Sequence, residues 1–382
     1  MTQKSASAPL PIEGVCAPGF EAVREAFARN FAEGDLGASC AVTLAGELVV
    51  DLWGGHRDLA RSRPWERDTI VNLWSITKMV TALCVLTLHD RGALDIDAPV
   101  ADYWPEFAAH GKERVLVRHV LGHTAGLSVF EDCPDDLALF DWAACCQRLV
   151  EQAPRWTPGE GSGYHSETQG WLLGELLRRV DGRSLGTFFR EEVAQPGEID
   201  LHIGLPDSEH PRTADVATLH ATANEPTDSE LRAREQPSGA RSAGMVNTAA
   251  WRRAEFPASN GHGNARSVAR TMAPLANGGR LGALRLLSPQ TIERTFEVQA
   301  DGIDRTTGRH FKLGIGYGLH CPTTPLGAND RTLWWAGWGG SMCVVDVANR
   351  LTVSYVMNRM LDDDDVRAAR VIFAAHAARA GL

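Results

Sequence analysis

Strand-like patterns stand at both ends of the 382-residue chain and helix-like patterns fill its middle, an arrangement that narrows the folds open to it. Near the N-terminus, S-C-A-V-T-L and L-V-V-D-L-W flank the turn A-G-E and predict a β-hairpin. Near the C-terminus, K-L-G-I-G-Y-G-L-H, R-T-L-W-W, M-C-V-V-D-V and L-T-V-S-Y-V-M predict strands, with A-N-R turning the chain between the last two. Helices bracket both groups. Phe20, Val23, Phe27 and Phe31 recur at helical spacing over residues 19–33, before Gly34, and an Ala- and Arg-rich helix is expected from about Val366 to Ala380. One solution buries all of these faces: an α+β domain whose single antiparallel sheet is built from both chain ends and flanked by the terminal helices. The expected division is 18–95 with 295–382 as the sheet domain and 96–294 as a mainly helical one, with a cleft between them.

Inside the middle segment, residues 75–91 and 167–180 predict helices, ended by Gly92 and Gly182, and the stretch near 205–265 is loop-rich in Pro, Ser, Asn and Gly. The net charge of −10 is spread along the chain, which argues against nucleic acid or an anionic membrane as partner. The opening M-T-Q-K-S-A-S-A-P-L-P-I-E-G has no apolar core of an export signal, and no apolar run is long enough to span a bilayer. A cytoplasmic protein is expected. The eight cysteines show no C-x-x-C spacing and read as buried free thiols, which fits a reducing compartment.

The stretch N-L-W-S-I-T-K-M-V, residues 72–80, sets Ser75 and Lys78 on one helical face. A serine hydroxyl needs a neighbouring base to act as a nucleophile, and a lysine serves as that base only when its surroundings favour the neutral amine. Leu73, Trp74, Ile76, Met79, Val80, Ala82 and Leu83 offer such an apolar setting. Ser75 at a helix start also places unsatisfied backbone N–H groups beside any developing oxyanion. Alone, the pair reads equally well as an N-cap with a snorkelling lysine.

Two further stretches add weight. In P-G-E-G-S-G-Y-H-S-E-T-Q-G-W-L-L-G-E-L-L, residues 158–177, a Gly-rich loop delivers Tyr164 and Ser166 at a loop-to-helix corner, where a tyrosine can relay protons. In L-W-W-A-G-W-G-G-S-M-C-V-V-D-V, residues 333–347, the glycines at 337, 339 and 340 permit close backbone approach at a strand edge. There the N–H of Trp338 is placed to complete an oxyanion hole with that of Ser75.

Taken together, Ser75-x-x-Lys78, Tyr164-x-Ser166 and Trp335-Ala336-Gly337 resemble the S-x-x-K, Y-x-N and K-T-G boxes of the penicilloyl-serine transferase superfamily. V-R-H-V-L-G-H-T-A-G-L at 117–127, N-G-H-G-N-A-R-S-V-A-R at 260–270 and G-I-G-Y-G at 314–318 resemble its class C β-lactamase and esterase branch, so the likeness runs over roughly residues 20–375. The resemblance implies a class C β-lactamase-like fold. Two departures matter: Trp335 stands where K-T-G has its lysine, and Ser166 replaces the asparagine of Y-x-N. That pattern is similar to the family VIII carboxylesterases.

The resemblance implies acyl transfer on Ser75, with Lys78 and Tyr164 moving its proton and the N–H groups of Ser75 and Trp338 holding the oxyanion. It leaves open which of Lys78 and Tyr164 is the immediate base. Trp335, Gly337, Trp338, Ser166 and Trp74 are the expected pocket, suited to a small short-chain carboxylic ester, with weak cephalosporin hydrolysis as a possible side activity. A β-lactamase, a hydrolase of small amides or D-peptides, an acyltransferase and a catalytically silent binding protein stay open as alternatives. No cofactor is expected. His119 and His123 have no third ligand in view and read as structural, and the acidic run Asp362–Asp365 reads as a cap for the last helix. The G-x-S-x-G elbow of the α/β-hydrolases is missing from the sequence.

Overall fold

The computed structural model describes residues 11–132, 138–217, 243–361 and 365–381. The expected hairpin forms from β2 (Gly37–Leu44) and β3 (Glu47–Gly55) around Ala45 and Gly46, whose φ angles of 55° and 89° make the mirror-image turn that matches strand twist. Ahead of it lie β1 (Ile12–Cys16) and helix α1 (Glu21–Ala32). Strands β4 (Ala300–Ile303), β5 (His310–Leu313), β6 (Gly318–Leu319), β7 (Thr332–Ala336), β8 (Met342–Asp346) and β9 (Leu351–Met357) follow near the C-terminus.

These nine strands form one antiparallel sheet in the order β1-β3-β2-β9-β8-β7-β6-β5-β4. The two chain ends meet where β2 pairs with β9, from Leu44 opposite Leu351 to Ala38 opposite Met357. Side chains alternate between the faces. Val344, Val353 and Tyr355 pack with Phe20, with Val23 and Phe27 of α1 and with Val371, Ile372 and Ala375 of the last helix. Cys343, Val345 and Val356 face the other way, into the larger core.

One expected strand is two. K-L-G-I-G-Y-G-L-H breaks into β5 and β6 because Gly316 takes φ +86°, outside the extended range, and Gly314 N–H closes the turn on the Tyr317 carbonyl at 2.9 Å. The turn packs on helix α2 (Thr77–Asp90), where a Cβ on Gly316 would stand 2.7 Å from that of Ala82. The remaining helices used below are α3 (Val117–Leu121), α4 (Trp142–Glu151), α5 (Thr168–Asp181), α6 (Ala265–Ala276) and α7 (Arg367–Ala380). Gly182, at φ +89°, ends α5 as expected of a left-handed C-cap.

Helix α6, which lies within the segment expected to be helical, packs on β2, β8 and β9. Its buried Val268, Ala269, Met272 and Leu275 cover the sheet face opposite α1 and α7. Of the acidic run, Asp362–Asp364 lie outside the described residues. Asp365 accepts the Arg367 N–H at 2.9 Å at the start of α7. Cys16, Cys40, Cys84, Cys145, Cys146, Cys321 and Cys343 are free, and all but Cys16 are buried; Cys133 lies outside the described residues. Among the described residues no helix is long and apolar enough to cross a membrane.

Candidate active site

Ser75 does not begin a continuous helix, as its sequence suggests. It sits in a 3-10 turn, Trp74–Ile76, that leads into α2 at Thr77. The cause is the preceding residue: Trp74 is held at φ +51°, a conformation that costs a bulky side chain free energy and so persists only where its surroundings enforce it. Thr77 supplies part of that enforcement, donating its Oγ1–H to the Trp74 carbonyl at 2.6 Å while accepting Gly261 N–H at 2.8 Å. Leu73 N–H donates to the Gly261 carbonyl at 2.7 Å. The N-G-H-G-N segment therefore braces the nucleophile turn.

The three-residue spacing still brings Ser75 and Lys78 together, with Lys78 Nζ 3.2 Å from Ser75 Oγ. Lys78 is buried, and its amine also donates to the carbonyls of Ser166 at 2.6 Å and Ala258 at 2.8 Å. Ser166 thus acts here through its backbone. The Ala258 acceptor left no mark in the sequence, because any residue type supplies a carbonyl. Asn260 shapes that loop, its side chain accepting Phe256 N–H at 2.8 Å and donating to the carbonyl of Trp251 at 3.0 Å and to that of Ala254.

Tyr164 completes the group, its hydroxyl donating to Ser75 Oγ at 2.6 Å and its ring lying 5.0 Å from Lys78 Nζ. Burial pushes the phenol pKa up to about 12, against a downward pull from hydrogen bonds with Ser75 and Trp335, so Tyr164 is a phenol at neutral pH. The H-T-A-G-L segment holds the corner that carries it. His123 carbonyl accepts Gly163 N–H at 3.0 Å, His123 Nδ1 accepts His165 N–H at 3.1 Å, and His165 Nε2 accepts Leu127 N–H at 3.2 Å. Thr168 Oγ1 donates to the Leu127 carbonyl at 2.6 Å. His119 does not join His123: its Nδ1 accepts Leu116 N–H at 3.2 Å at the start of α3.

The third wall is the end of β7. Gly337 passes so close to the nucleophile turn that a Cβ there would stand 2.5 Å from the Leu73 carbonyl, which explains glycine at this position. Beyond it the chain turns, Gly337 N–H reaching the Ser341 carbonyl at 2.7 Å, with Gly339 and Gly340 at φ +86° and +124°. Trp338 N–H therefore lies at the strand edge beside the nucleophile turn.

The aromatic pocket differs from expectation. Trp338 is half exposed, but Trp74 and Trp335 are buried at 4% and 5% exposure. Trp74 packs edge-on beneath the Trp338 ring at 5.1 Å. Trp335 stacks on His123 at 5.2 Å and lies 5.8 Å from the Tyr164 ring. Of the three, only Trp338 offers a face to a ligand, because the other two fill the core behind it.

A serine hydroxyl between an amine and a phenol, beside a glycine-lined strand edge, is the equipment of an enzyme that takes up an acyl group and passes it on. The chain belongs to the β-lactamase family, whose family model matches residues 24–377. It is 34% identical to the esterase/β-lactamase LipL of Mycobacterium tuberculosis, across 91% of this chain and 83% of that one. Among solved structures, a penicillin-binding protein homologue from Caulobacter crescentus superposes with a TM-score of 0.89 at 41% identity, covering 96% of this chain and all of the other. A family VIII carboxylesterase gives the same TM-score at 40% identity, with the same coverage. The fold is the class C β-lactamase-like one expected.

Proposed function

We propose that the protein is a serine carboxylesterase that hydrolyses small, short-chain esters through an acyl-enzyme on Ser75. The observation that carries this reading is the double contact at Ser75 Oγ, with Tyr164 OH at 2.6 Å and Lys78 Nζ at 3.2 Å. Lys78 lies within reach of Ser75 Oγ while donating to the Ser166 and Ala258 carbonyls, and as a neutral amine it is placed to receive the serine proton. Tyr164, held as a phenol, is matched to the opposite task of giving a proton to the departing alcohol. This division favours Lys78 as the immediate base. The N–H groups of Ser75 and Trp338 stabilise the oxyanion, and water then hydrolyses the acyl-enzyme.

Trp335 supports esters over β-lactams. It puts a buried indole in the place of the K-T-G lysine, so this position offers no cation to a lactam carboxylate. The name esterase/β-lactamase given to the Mycobacterium tuberculosis relative favours weak cephalosporin turnover as a second activity. The site would lie in the cleft between the sheet and the helical segment, and the free, mostly buried thiols fit work in the cytoplasm. The test compares hydrolysis of p-nitrophenyl acetate with that of a chromogenic cephalosporin, in wild type and Ser75→Ala. Faster ester turnover that disappears in Ser75→Ala is expected. A faster cephalosporin rate overturns the ester assignment, and ester turnover surviving in Ser75→Ala overturns the nucleophile.

A further inference from the structure

Asp304 follows β4 directly and is fully buried. One oxygen of its carboxylate takes four donors: Oδ1 accepts the N–H groups of Tyr164 at 3.1 Å, Thr306 at 3.1 Å and Thr307 at 2.9 Å, and the Thr307 hydroxyl at 3.1 Å. The other oxygen, Oδ2, is buried with no hydrogen-bond partner among the described residues. A carboxylate kept dry and half satisfied is a poor source of stability and calls for another explanation.

The rest of the β4–β5 turn is fastened to the same loop. Arg305 N–H donates to the Ser162 carbonyl at 2.9 Å, its guanidinium donates to the Glu160 carbonyl at 2.8 Å, and it lies 5.1 Å from the Trp156 ring. Gly163 has room for no side chain: a Cβ would stand 2.3 Å from the Trp156 ring and 3.0 Å from Thr306 Oγ1. The sheet thus reaches the tyrosine corner through one short turn, and Asp304 grips the peptide that carries the phenol.

We infer that Asp304 is a positioning residue for the reaction: its Oδ1 fixes the Tyr164 backbone so that the phenol meets Ser75 Oγ. The inference rests on the catalytic reading of Tyr164 given above. Ser75 and Lys78 are only three residues apart along one helical path, whereas Tyr164 is 89 residues away in sequence from its partner and depends on what anchors its loop. Displacement of a reacting group by about 1 Å costs on the order of 100-fold in rate.

The test is a double-variant cycle on p-nitrophenyl acetate hydrolysis, with folding checked by circular dichroism. Asp304→Ala is expected to lower kcat by roughly tenfold or more with KM within about twofold, while Asp304→Asn, which keeps an acceptor at Oδ1, stays within about threefold of wild type. Added to Tyr164→Phe, Asp304→Ala should cause no further loss, since the phenol it positions is already gone. An unchanged kcat in Asp304→Ala, or losses that multiply in the double variant, overturns the role of Asp304 alone. Wild-type kcat in Tyr164→Phe overturns the reading of the site, and this inference with it. If Asp304→Ala fails to fold, Asp304→Glu, which moves the acceptor by one methylene, takes its place in the cycle and the same outcomes decide.

Discussion

The nucleophile turn and the tyrosine corner meet at one oxygen atom but are built in opposite ways. Ser75 and Lys78 are three residues apart, and their 3.2 Å contact follows from the local helical path. Tyr164 reaches the same atom only because distant segments hold its loop: His123 through its carbonyl and ring, Asp304 through its carboxylate, and Trp335 through ring contact. The turn stores strain at Trp74, and the corner stores buried polar groups. A site joined in this way should fail differently according to which half is struck.

The largest effects are expected from the turn. Ser75→Ala and Lys78→Ala should each lower kcat on p-nitrophenyl esters by about 10³-fold or more, and combining them should add little, because the two act as a unit. Tyr164→Phe should cost less, on the order of 10²-fold, since it removes one proton relay and leaves the Ser-Lys pair intact. Steady-state rates on the three single variants and the Ser75→Ala/Lys78→Ala double variant check this order. A Tyr164→Phe defect larger than that of Lys78→Ala would reverse the comparison and make the phenol the primary base.

A smaller effect is expected where β7 touches the turn. Gly337→Ala puts a methyl group where only 2.5 Å separates it from the Leu73 carbonyl, so strand and turn must part and Trp338 N–H must move. Loss of one oxyanion donor costs about 10²-fold in kcat, and a displaced one should cost roughly tenfold to that limit. Trp338→Ala keeps the N–H and removes only the half-exposed ring, so it should raise KM while leaving kcat within about threefold. Similar kcat losses in both variants would show that the ring, and not the backbone, is what matters at this edge.

The same contrast explains what was legible in the sequence. The hairpin, the terminal helices and the shared sheet could be read because alternation and helical spacing report local burial. Ser75 and Lys78 could be read because their partnership is local. Tyr164 and Ser166 stood out at a loop-to-helix corner, but the sequence did not show that Ser166 and Ala258 act through backbone carbonyls, which any residue type supplies. Asp304 sits in D-R-T-T-G, a composition that signals an ordinary turn, and nothing in it points 140 residues back to Tyr164. Positive φ at Trp74 was equally invisible, since no tryptophan prefers it. The same holds for α6, whose amphipathic pattern fits a sheet face as well as a helical bundle.

Acid should separate the two halves most gently. His123 and His165 are buried in the corner, and burial holds His165 down at about 4 and His123 well below its ordinary value of 6.5. Both are needed as neutral acceptors, His123 for His165 N–H and His165 for Leu127 N–H. Because their folded values are depressed, the unfolded chain binds more protons once pH falls below about 6.5, and each histidine then withdraws up to about 1.4 kcal/mol of stability per pH unit. Above that pH the contribution is fully present. Hydrogen exchange at pH 7 and pH 5, corrected for intrinsic rates, should show protection falling first at Leu127 and at residues 163–168, while the interior of α2 holds. Uniform loss of protection across both regions would mean that the corner does not open on its own. The turn and the corner would then be a single cooperative unit, held together by more than their shared oxygen.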